Sequence, residues 1–318
     1  MQSAQGGAVQ QGTQMAATQN KRAGVIGLGA MGLGMARSLL KAGFAVSGYD
    51  PAQTARENAA AAGVWLTADT DAVFADCDVI VLSLPTAQHV LAVVQAAQAA
   101  GHLAQTGAAR VIVDTSTSEA ATSRTLAAEL SALGHGFLDA PVSGGPAGAA
   151  SGQLSVMLGG ETQWLEAARP ALEAMAAKIL HVGPSGAGNV AKLVNNMLVA
   201  NHMVTTLEAL RLGEAAGVAA TEMLEVVNSA TGRSAISEVH YPNWVLPRSF
   251  DSGFSAGLMR KDLRLARALA AEVSVATPMA DRVAELWAET QSGLSDSDDF
   301  MRMGDPQVDR LSAREEQA

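Results

Sequence analysis

The sequence predicts an α/β fold, with an N-terminal Rossmann-type domain built on a doubly wound parallel sheet and an all-α C-terminal domain. Three observations support this prediction. Short apolar runs alternate with helical patterns up to residue 183, a glycine-rich turn follows the first run, and only helical periodicity continues after residue 183. The chain has 318 residues, of which 48% are hydrophobic, so it can form two cores of ordinary domain size.

The first βαβ unit is predicted between Lys21 and Asp50. The segment AGVIGLG is typical of a strand that ends in turn glycines, and FAVSGYD is typical of a second strand. Between them, Met31, Met35 and Leu39 recur at helical spacing. Later strands are predicted in DVIVLSLP (78–85), RVIVDTS (110–116), HGFLDAPVS (135–143), QLSVMLGG (153–160) and KILHVG (178–183).

The glycine-rich segment GPSGAG (183–188) predicts the domain boundary, because the strand patterns stop there and a long helical pattern begins. Segment 241–253 contains two prolines and a glycine, which predicts a long loop. The predicted helices of the second domain cover 189–216, 221–230, 257–273 and 277–290. The predicted division of the chain is a disordered tail (1–22), a Rossmann domain (23–185), a helical domain for substrate binding and oligomerisation (186–304) and a polar tail (305–318).

The composition opposes several classes of partner. A net charge of -10 with 16% charged residues disfavours binding to phosphate backbones or anionic lipids. No apolar run reaches the length of about 20 residues that a membrane span requires, and residues 1–20 lack the basic start of a targeting signal. The single Cys77 cannot form an internal disulfide. We therefore expect a cytoplasmic protein that binds neither nucleic acid nor membranes.

The segment GLGAMG carries a GxGxxG pattern between a predicted strand and a predicted helix. Gly27 permits a tight turn, Gly29 lets pyrophosphate approach the backbone, and Gly32 allows close helix–strand packing. Glycine turns also occur in α/β proteins for packing alone. The position before a helix N-terminus favours a dinucleotide-phosphate site here. Its candidate residues are Gly27, Leu28, Gly29, Ala30, Met31 and Gly32.

Asp50 ends the second predicted strand, 23 positions after Gly27. A carboxylate at about this distance accepts hydrogen bonds from the adenosine ribose and repels a 2′-phosphate, which favours NAD over NADP. Alternatively, Asp50 caps the next helix, and the two roles are compatible. Arg56 lies close enough along the chain to permit NADP.

Lys192 is the candidate acid–base group. Helical spacing places Asn195 and Asn196 on the same face, and two asparagines inside a helix require compensation because their side chains compete for backbone hydrogen bonds. A partly desolvated lysine in a domain cleft has a lowered pKa and can exchange protons near neutral pH. The alternative is a solvated lysine with two polar neighbours.

DAPVSGGP (139–146) follows a predicted strand, at the sheet edge where ligands of open α/β sheets bind. Ser143, Gly144 and Gly145 offer a hydroxyl and backbone N–H donors for a carboxylate. The alternative is a tight turn that needs glycine for its dihedral angles. The six histidines and one cysteine show no pair at metal-ligand spacing, so no metal site is predicted.

Four segments carry a family resemblance. GLGAMGLGMARSLLKAG, DAPVSGGPAGAASGQLSVMLGG, GPSGAGNVAKLVNNM and FSAGLMRKDLRLA, in this order within residues 24–266, closely resemble the signature segments of the β-hydroxyacid dehydrogenases. The resemblance implies a cleft between the two domains. It also implies that Lys192 is the catalytic lysine, that Asn196 assists it, and that Ser143, Gly144 and Gly145 bind the substrate carboxylate.

The resemblance extends to the cofactor site. Lys261 and Asp262 match a segment that closes over the nicotinamide, and Phe254 matches an aromatic residue of the same wall. Without the family, Phe254 is a core residue and Lys261 begins a solvated helix. Further contacts to the nicotinamide and its ribose are implied for Leu84, Pro85, Thr86, Ser116 and Thr117. Ser118 and Ala120 stand where the family often has an apolar residue and a proline.

These observations predict reversible NAD-linked oxidation of a small 3-hydroxy acid to its semialdehyde, with 3-hydroxyisobutyrate as the preferred candidate. The alternative enzyme hypotheses are reduction of tartronate semialdehyde or of succinic semialdehyde. The non-enzymatic alternative is a nucleotide-binding scaffold, which the retention of Lys192 opposes. The resemblance also implies a homodimer or homotetramer.

Overall fold

The computed structural model describes residues 21–105, 108–289, 293–305 and 308. Nine strands form one sheet, and helices flank it and continue beyond it. The strands are β1 (Arg22–Ile26), β2 (Ala45–Tyr49), β3 (Trp65–Leu66), β4 (Val79–Leu82), β5 (Val111–Asp114), β6 (Gly136–Asp139), β7 (Val142–Ser143), β8 (Leu154–Gly159) and β9 (Ala176–Gly183).

The helices before residue 183 alternate with these strands, as the sequence predicts for a Rossmann-type domain. They are α1 (Ala30–Lys41), α2 (Gln53–Ala61), α3 (Thr70–Asp76), α4 (Ala87–Ala99), α5 (Ala120–Ala132), α6 (Gly145–Ser151) and α7 (Thr162–Met175). The later helices are α8 (Ala187–Ala215), α9 (Ala220–Ser229), a π-helix (Ile236–Val245), α10 (Ala256–Glu272), α11 (Pro278–Glu289) and a 3-10 helix (Phe300–Gly304).

Six strands run parallel in the order β3-β2-β1-β4-β5-β6. Their register places the carboxyl ends at one edge: Ile26 is opposite Tyr49 and Leu82, Leu82 is opposite Asp114, and Asp114 is opposite Asp139. The glycine turn and the loops after β2, β4 and β5 therefore meet at the edge where ligands of such sheets bind.

The sheet is parallel only in part. β8 runs antiparallel to β6 and β7, and β9 pairs parallel with β8. The predicted single strand at 135–143 is two strands, because Ala140 and Pro141 separate β6 from β7. Asp139 is opposite Gly159 and Val142 is opposite Val156, so the chain keeps its direction across these two residues, and β6 and β7 are consecutive stretches along β8.

Alternate residues of the central strands enter two different cores, as in a doubly wound sheet. Ile80 and Ile112 pack in a cluster that includes residues of α3, α4 and α5. Val81 and Val113 point to the other face and pack in a cluster that includes residues of α1 and α7. Both faces are therefore covered by helices, which explains why these strands are apolar at successive positions.

The helical region has its own core around Trp287, which is 0% exposed. The prediction of a loop over 241–253 is wrong for residues 241–245, because the π-helix continues to Val245 with Pro242 inside it. Tyr241 and Val245 are buried in the helical core, so burial maintains the helix despite the proline. The remaining residues up to Gly253 lie outside the helices.

The ends of the described chain are more ordered than the tail predictions indicate. Arg22 already belongs to β1. Asp305 is buried and accepts a hydrogen bond from Arg248 at 2.9 Å, and Val308 is also buried. Residues 1–20 and most of 306–318 lie outside the described residues. Among the helices of the described part, none is long and apolar enough to span a membrane.

Candidate active site

The three glycines of the turn meet three different environments. A Cβ atom on Gly27 would collide with the carbonyl oxygen of Ser83, and Gly27 has a φ of +89°. A Cβ atom on Gly32 would collide with the carbonyl oxygen of Gly27. A Cβ atom on Gly29 would have no heavy atom within 4 Å. Gly29 thus leaves open space at the N-terminus of α1, where a dinucleotide pyrophosphate fits.

Asp50 joins the glycine turn to the backbone just before α2. Its Oδ2 accepts the Leu28 N–H at 2.7 Å, and its Oδ1 accepts the Ala52 N–H at 2.8 Å. The Arg56 guanidinium donates to the Asp50 carbonyl oxygen at 3.1 Å and to Gln53 at 2.6 Å. The carboxylate therefore lies beside the glycine turn. It accepts the N–H of the residue before α2 but makes no side-chain cap of that helix, and its binding to an adenosine ribose stays a prediction.

The loops after β4 and β5 are joined by a hydrogen bond. The Ser116 hydroxyl oxygen accepts the Leu84 N–H at 2.9 Å. From the other domain, the Lys261 ammonium donates to the Thr117 carbonyl oxygen at 3.1 Å. The loops that the sequence predicts to contact nicotinamide and ribose therefore lie together at the sheet edge, and α10 reaches them across the domain boundary.

A cleft of about 230 Å³ opens between these loops and α10. Thr86, Thr117 and Lys261 of the predicted cofactor set line it. The sequence did not predict the other polar residues that line it, although Arg264 follows Lys261 by one helical turn and Glu119 lies two residues after Thr117. The lining residues are Thr86, Ala87, Gln88, Thr117, Glu119, Lys261, Arg264 and Leu265.

The Lys192 side chain is buried, with 7% exposed, and its ammonium donates to the Val142 carbonyl oxygen at 2.8 Å. Burial lowers the pKa of Lys192, and the nearby Lys261 lowers it further, while the Asp262 carboxylate opposes both. The interpretation of Lys192 as a solvated lysine is therefore excluded. The amine bonds to the carbonyl oxygen of the residue just before Ser143, so α8 brings the proposed base to the proposed carboxylate segment.

A chain of polar contacts leads from the asparagines of α8 to α10. Asn195 donates to the Asn196 side-chain oxygen at 3.1 Å, and Asn196 donates to Asp262 Oδ2 at 2.5 Å. Asp262 Oδ1 lies 3.4 Å from the Lys261 ammonium. Asn196 and Asp262 are both buried. These contacts compensate the two helical asparagines, and they place Lys261 beside a carboxylate whose charge also acts on Lys192.

The predicted carboxylate segment has backbone angles that glycine adopts readily. Gly144 has a φ of +126° and Gly145 a φ of +61°, so both lie in the region that disfavours other residues. Ser143 ends β7 and is partly exposed. Gly144 is exposed and precedes α6, so the first N–H groups of this helix have no partner within it, and the tight-turn interpretation is compatible with anion binding.

Asp139 and Asn189 join the two domains, and sequence reasoning missed both. Asp139 accepts the N–H groups of Gly186 at 2.7 Å and of Asn189 at 3.0 Å, at the start of α8. Asn189 accepts the Ser118 N–H at 3.1 Å and donates to the Ser123 hydroxyl at 2.9 Å. This junction sets the position of Lys192, one turn further along α8. Contacts across 47 or more residues leave no local sequence signal.

Two further positions predicted to contact the cofactor lie in different surroundings, and their role stays a prediction. The Phe254 ring packs edge-on against Phe300, with centroids 5.5 Å apart, in the core of the helical region. Pro85 is exposed after β4. The lone Cys77 is buried, and burial raises its pKa to about 11, which describes a packed thiol rather than a reactive one.

Two family models match the chain along nearly its whole described length. Residues 22–183 match the NAD binding domain of 6-phosphogluconate dehydrogenase. Residues 186–305 match the NAD-binding domain of NADP-dependent 3-hydroxyisobutyrate dehydrogenase. The division between the two matches falls between β9 and α8.

Similar proteins carry related names. NAD-dependent L-serine dehydrogenase of Pseudomonas aeruginosa is 38% identical over 273 residues, covering 84% of this chain and 91% of that protein. A probable 3-hydroxyisobutyrate dehydrogenase of Mycobacterium bovis is 37% identical, covering 86% of this chain and 93% of that protein.

Among solved structures, 3-hydroxyisobutyrate dehydrogenase of Mycobacterium tuberculosis with L-serine has a TM-score of 0.83 and 34% identity, covering 92% of this chain and 99% of that one. The family models, these relatives and the Rossmann-type nucleotide site agree. The chain belongs to the β-hydroxyacid dehydrogenase family of NAD(P)-dependent oxidoreductases.

Proposed function

We propose that this chain oxidises a small 3-hydroxy acid to its semialdehyde with NAD, and catalyses the reverse reduction. The observation that carries the proposal is the buried Lys192 amine, bonded to the carbonyl that directly precedes Ser143. A proton acceptor and a carboxylate-binding turn thus lie side by side. Their separation suits a substrate whose hydroxyl and carboxylate are only a few bonds apart.

Each group of the site has a task in this reaction. Ser143 and the N–H groups of Gly144 and Gly145 bind and orient the substrate carboxylate. Lys192, whose pKa is lowered by burial, removes the hydroxyl proton as the alcohol is oxidised and returns it in the reverse direction. The nicotinamide cofactor, when bound, accepts or supplies the hydride. The Asp262 carboxylate raises the pKa of Lys192 and partly offsets the effect of burial, and Asn196 holds Asp262 by a hydrogen bond.

The cofactor would lie along the edge formed by the glycine turn and the loops after β2, β4 and β5. Gly29 provides the space for pyrophosphate, and Asp50 accepts hydrogen bonds from the adenosine ribose. The same carboxylate repels a 2′-phosphate, so we favour NAD over NADP. Lys261 and Thr117 would enclose the nicotinamide half.

The substrates named for similar proteins share one unit, HO–CH2–CH(R)–COO−. R is methyl in 3-hydroxyisobutyrate, ammonium in L-serine and a carboxyethyl group in 2-(hydroxymethyl)glutarate. We place 3-hydroxyisobutyrate first. L-serine is the second candidate, because the L-serine dehydrogenase is 38% identical and the solved neighbour was determined with L-serine.

A substrate panel tests this proposal. We expect turnover with NAD for 3-hydroxyisobutyrate, L-serine and glycerate, which share the unit, and at least tenfold lower kcat/KM for 4-hydroxybutyrate, whose hydroxyl is one carbon further away. A difference of this size corresponds to about 1.4 kcal/mol. Preference for 4-hydroxybutyrate would contradict the substrate class. NADH binding without turnover on any member would instead favour the non-catalytic scaffold.

A further inference from the structure

Two buried carboxyl groups lie side by side where β5 and β6 end. The register pairs Ile112 with Phe137, and both pack in the same core cluster, so this face of the sheet is defined. Two residues later, Asp114 is paired with Asp139. Because side chains repeat every second residue in a strand, Asp114 and Asp139 project from that same face. They are 1% and 0% exposed.

The two carboxyl groups accept different numbers of hydrogen bonds. Both oxygens of Asp139 accept backbone N–H groups at the start of α8. In Asp114, Oδ1 accepts the Ser116 N–H at 3.0 Å, whereas Oδ2 has no hydrogen-bond partner among the described residues. Two adjacent buried carboxylates repel each other. Asp114 accepts fewer hydrogen bonds that stabilise its charged form than Asp139 does. Asp114 is therefore the carboxyl group of this pair that takes up a proton.

Burial and the charges around Asp114 determine the pH range in which its carboxyl group takes up a proton. Burial raises the pKa of Asp114 to about 7, the hydrogen bond from Ser116 opposes this, and the charge of Asp139 adds to it. The charged groups that face it from the packed elements of the described chain are Asp139 on β6 and Lys261 on α10, and Lys261 favours ionised Asp114. Asp114 thus changes its charge close to neutral pH.

Asp114 acts on the cofactor edge through its neighbours. It holds Ser116, whose hydroxyl oxygen accepts the Leu84 N–H from the loop after β4. It also attracts Lys261, which bonds the Thr117 carbonyl oxygen and lines the cleft. A charge on Asp114 therefore strengthens contacts on both sides of the cleft.

We propose that Asp114 is a positioning residue, whose ionised carboxylate holds Ser116 and Lys261 in the arrangement that binds the nicotinamide half of the cofactor. This inference rests on the cofactor site proposed above, and it is independent of the substrate. Its consequence is that NADH affinity increases with pH.

The direction follows from linkage. Cofactor binding that tightens the hydrogen bond of Asp114 with Ser116 and its electrostatic attraction to Lys261 favours the ionised carboxylate, so the pKa of Asp114 is lower in the complex than in the free protein. Binding then releases protons near pH 7. Affinity is highest above the pKa of the free protein and falls as pH decreases, by about tenfold for each unit that separates the two pKa values.

The test measures NADH dissociation constants by fluorescence between about pH 6 and about pH 8.5, a range that spans the titration of Asp114. We expect the wild type to bind about threefold tighter or more at the upper limit, as half a pKa unit gives. Asp114→Asn keeps an oxygen for the Ser116 N–H but cannot ionise, so its affinity should be independent of pH. Asp114→Ala should bind more weakly throughout.

Two further variants test whether a group other than Asp114 causes the pH dependence of NADH affinity. The His89 ring lies 2.7 Å from the Thr86 hydroxyl beside the cleft, so its replacement is the control for this side of the cleft. His89→Gln should retain the pH dependence. Asp305→Asn removes a buried carboxylate of the helical region and should also retain it. If His89→Gln abolishes the dependence, or if Asp114→Asn keeps it, the proposal is overturned.

A measurement on the wild type covers the case in which Asp114 variants do not fold. Calorimetric titration with NADH in two buffers of different ionisation enthalpy counts the protons released at pH 7. We expect a fractional release that disappears at high pH. Zero release at pH 7 would overturn the proposal, while absence of turnover with intact NADH binding would contradict only the proposed function.

Discussion

At the scale of single residues, the three glycines of the first turn serve different purposes. Some are required by the packing of the fold, and one leaves space for a ligand. A methyl group on Gly32 would overlap the Gly27 carbonyl oxygen, so this position serves the packing of α1 on β1. A methyl group on Gly29 would enter open space that the folded chain leaves unused. The sequence pattern shows both as glycine, and only the structure distinguishes their roles.

We therefore predict different outcomes for two alanine variants. Gly32→Ala should lower the free energy of unfolding by about 1–3 kcal/mol, as overpacking does. Gly29→Ala should unfold within about 0.5 kcal/mol of the wild type, as exposed substitutions do, yet bind NADH at least about tenfold more weakly. Thermal unfolding and NADH fluorescence measure the two effects. If Gly29→Ala and the wild type bind NADH with equal affinity, the prediction that the pyrophosphate binds at this turn is wrong.

At the scale of elements, the sequence predicts most of the architecture, because apolar periodicity and glycine turns are local signals. The βαβ unit, the buried central strands and the long helix α8 are each confirmed. The π-helix was missed because Pro242 and Pro247 are typical of loops, and burial of Tyr241 and Val245 overrides that preference.

The site was predicted less completely than the fold, for a physical reason. Lys192, Asn196 and Asp262 carry recognisable motifs, and the structure brings them together. The pairing of Asp114 with Asp139 depends on strand register, which the local sequence does not specify. The same holds for Arg264, which enters the cleft only because α10 packs across the sheet edge.

Helix α10 offers a matched pair of arginines. Arg264 lines the cleft where we propose that the cofactor binds, whereas Arg267, one turn later, is ion-paired with Asp281 at 2.9 Å. Because the cofactor is anionic, Arg264→Ala should raise the KM for NAD by about threefold to tenfold, with kcat nearly unchanged. Arg267→Ala should leave both constants near the wild-type values. Steady-state kinetics decide, and equal KM values for the two variants would contradict a role of Arg264 in the cleft.

At the scale of the whole molecule, the two domains are joined at the edge where the chemistry is proposed. Asp139 and Asn189 tie the start of α8 to the sheet and to α5, and Lys261 reaches Thr117 from α10. The proposed catalytic lysine therefore belongs to the helical domain, while the proposed carboxylate turn and nucleotide edge belong to the sheet domain. We expect activity to depend on this alignment.

Asn189→Ala tests the alignment. Loss of the contacts with Ser118 and Ser123 leaves buried polar groups without partners and should lower the free energy of unfolding by about 1–3 kcal/mol. It should also reduce kcat, because α8 positions Lys192. Asn201→Ala, on the same helix, loses only a bond to the Met197 carbonyl oxygen and should keep kcat. Unchanged kcat in Asn189→Ala would contradict the alignment role.

The central claim is that a neutral Lys192 amine accepts the substrate proton, and the pH profile of kcat in wild type and Lys192→Met tests it most directly. Burial lowers the pKa of Lys192, so oxidation by the wild type should accelerate with rising pH and level off below the usual lysine range. Lys192→Met should bind NADH normally and lose about 100- to 10,000-fold in kcat. Near-normal turnover by Lys192→Met, with the same pH profile, would contradict the account.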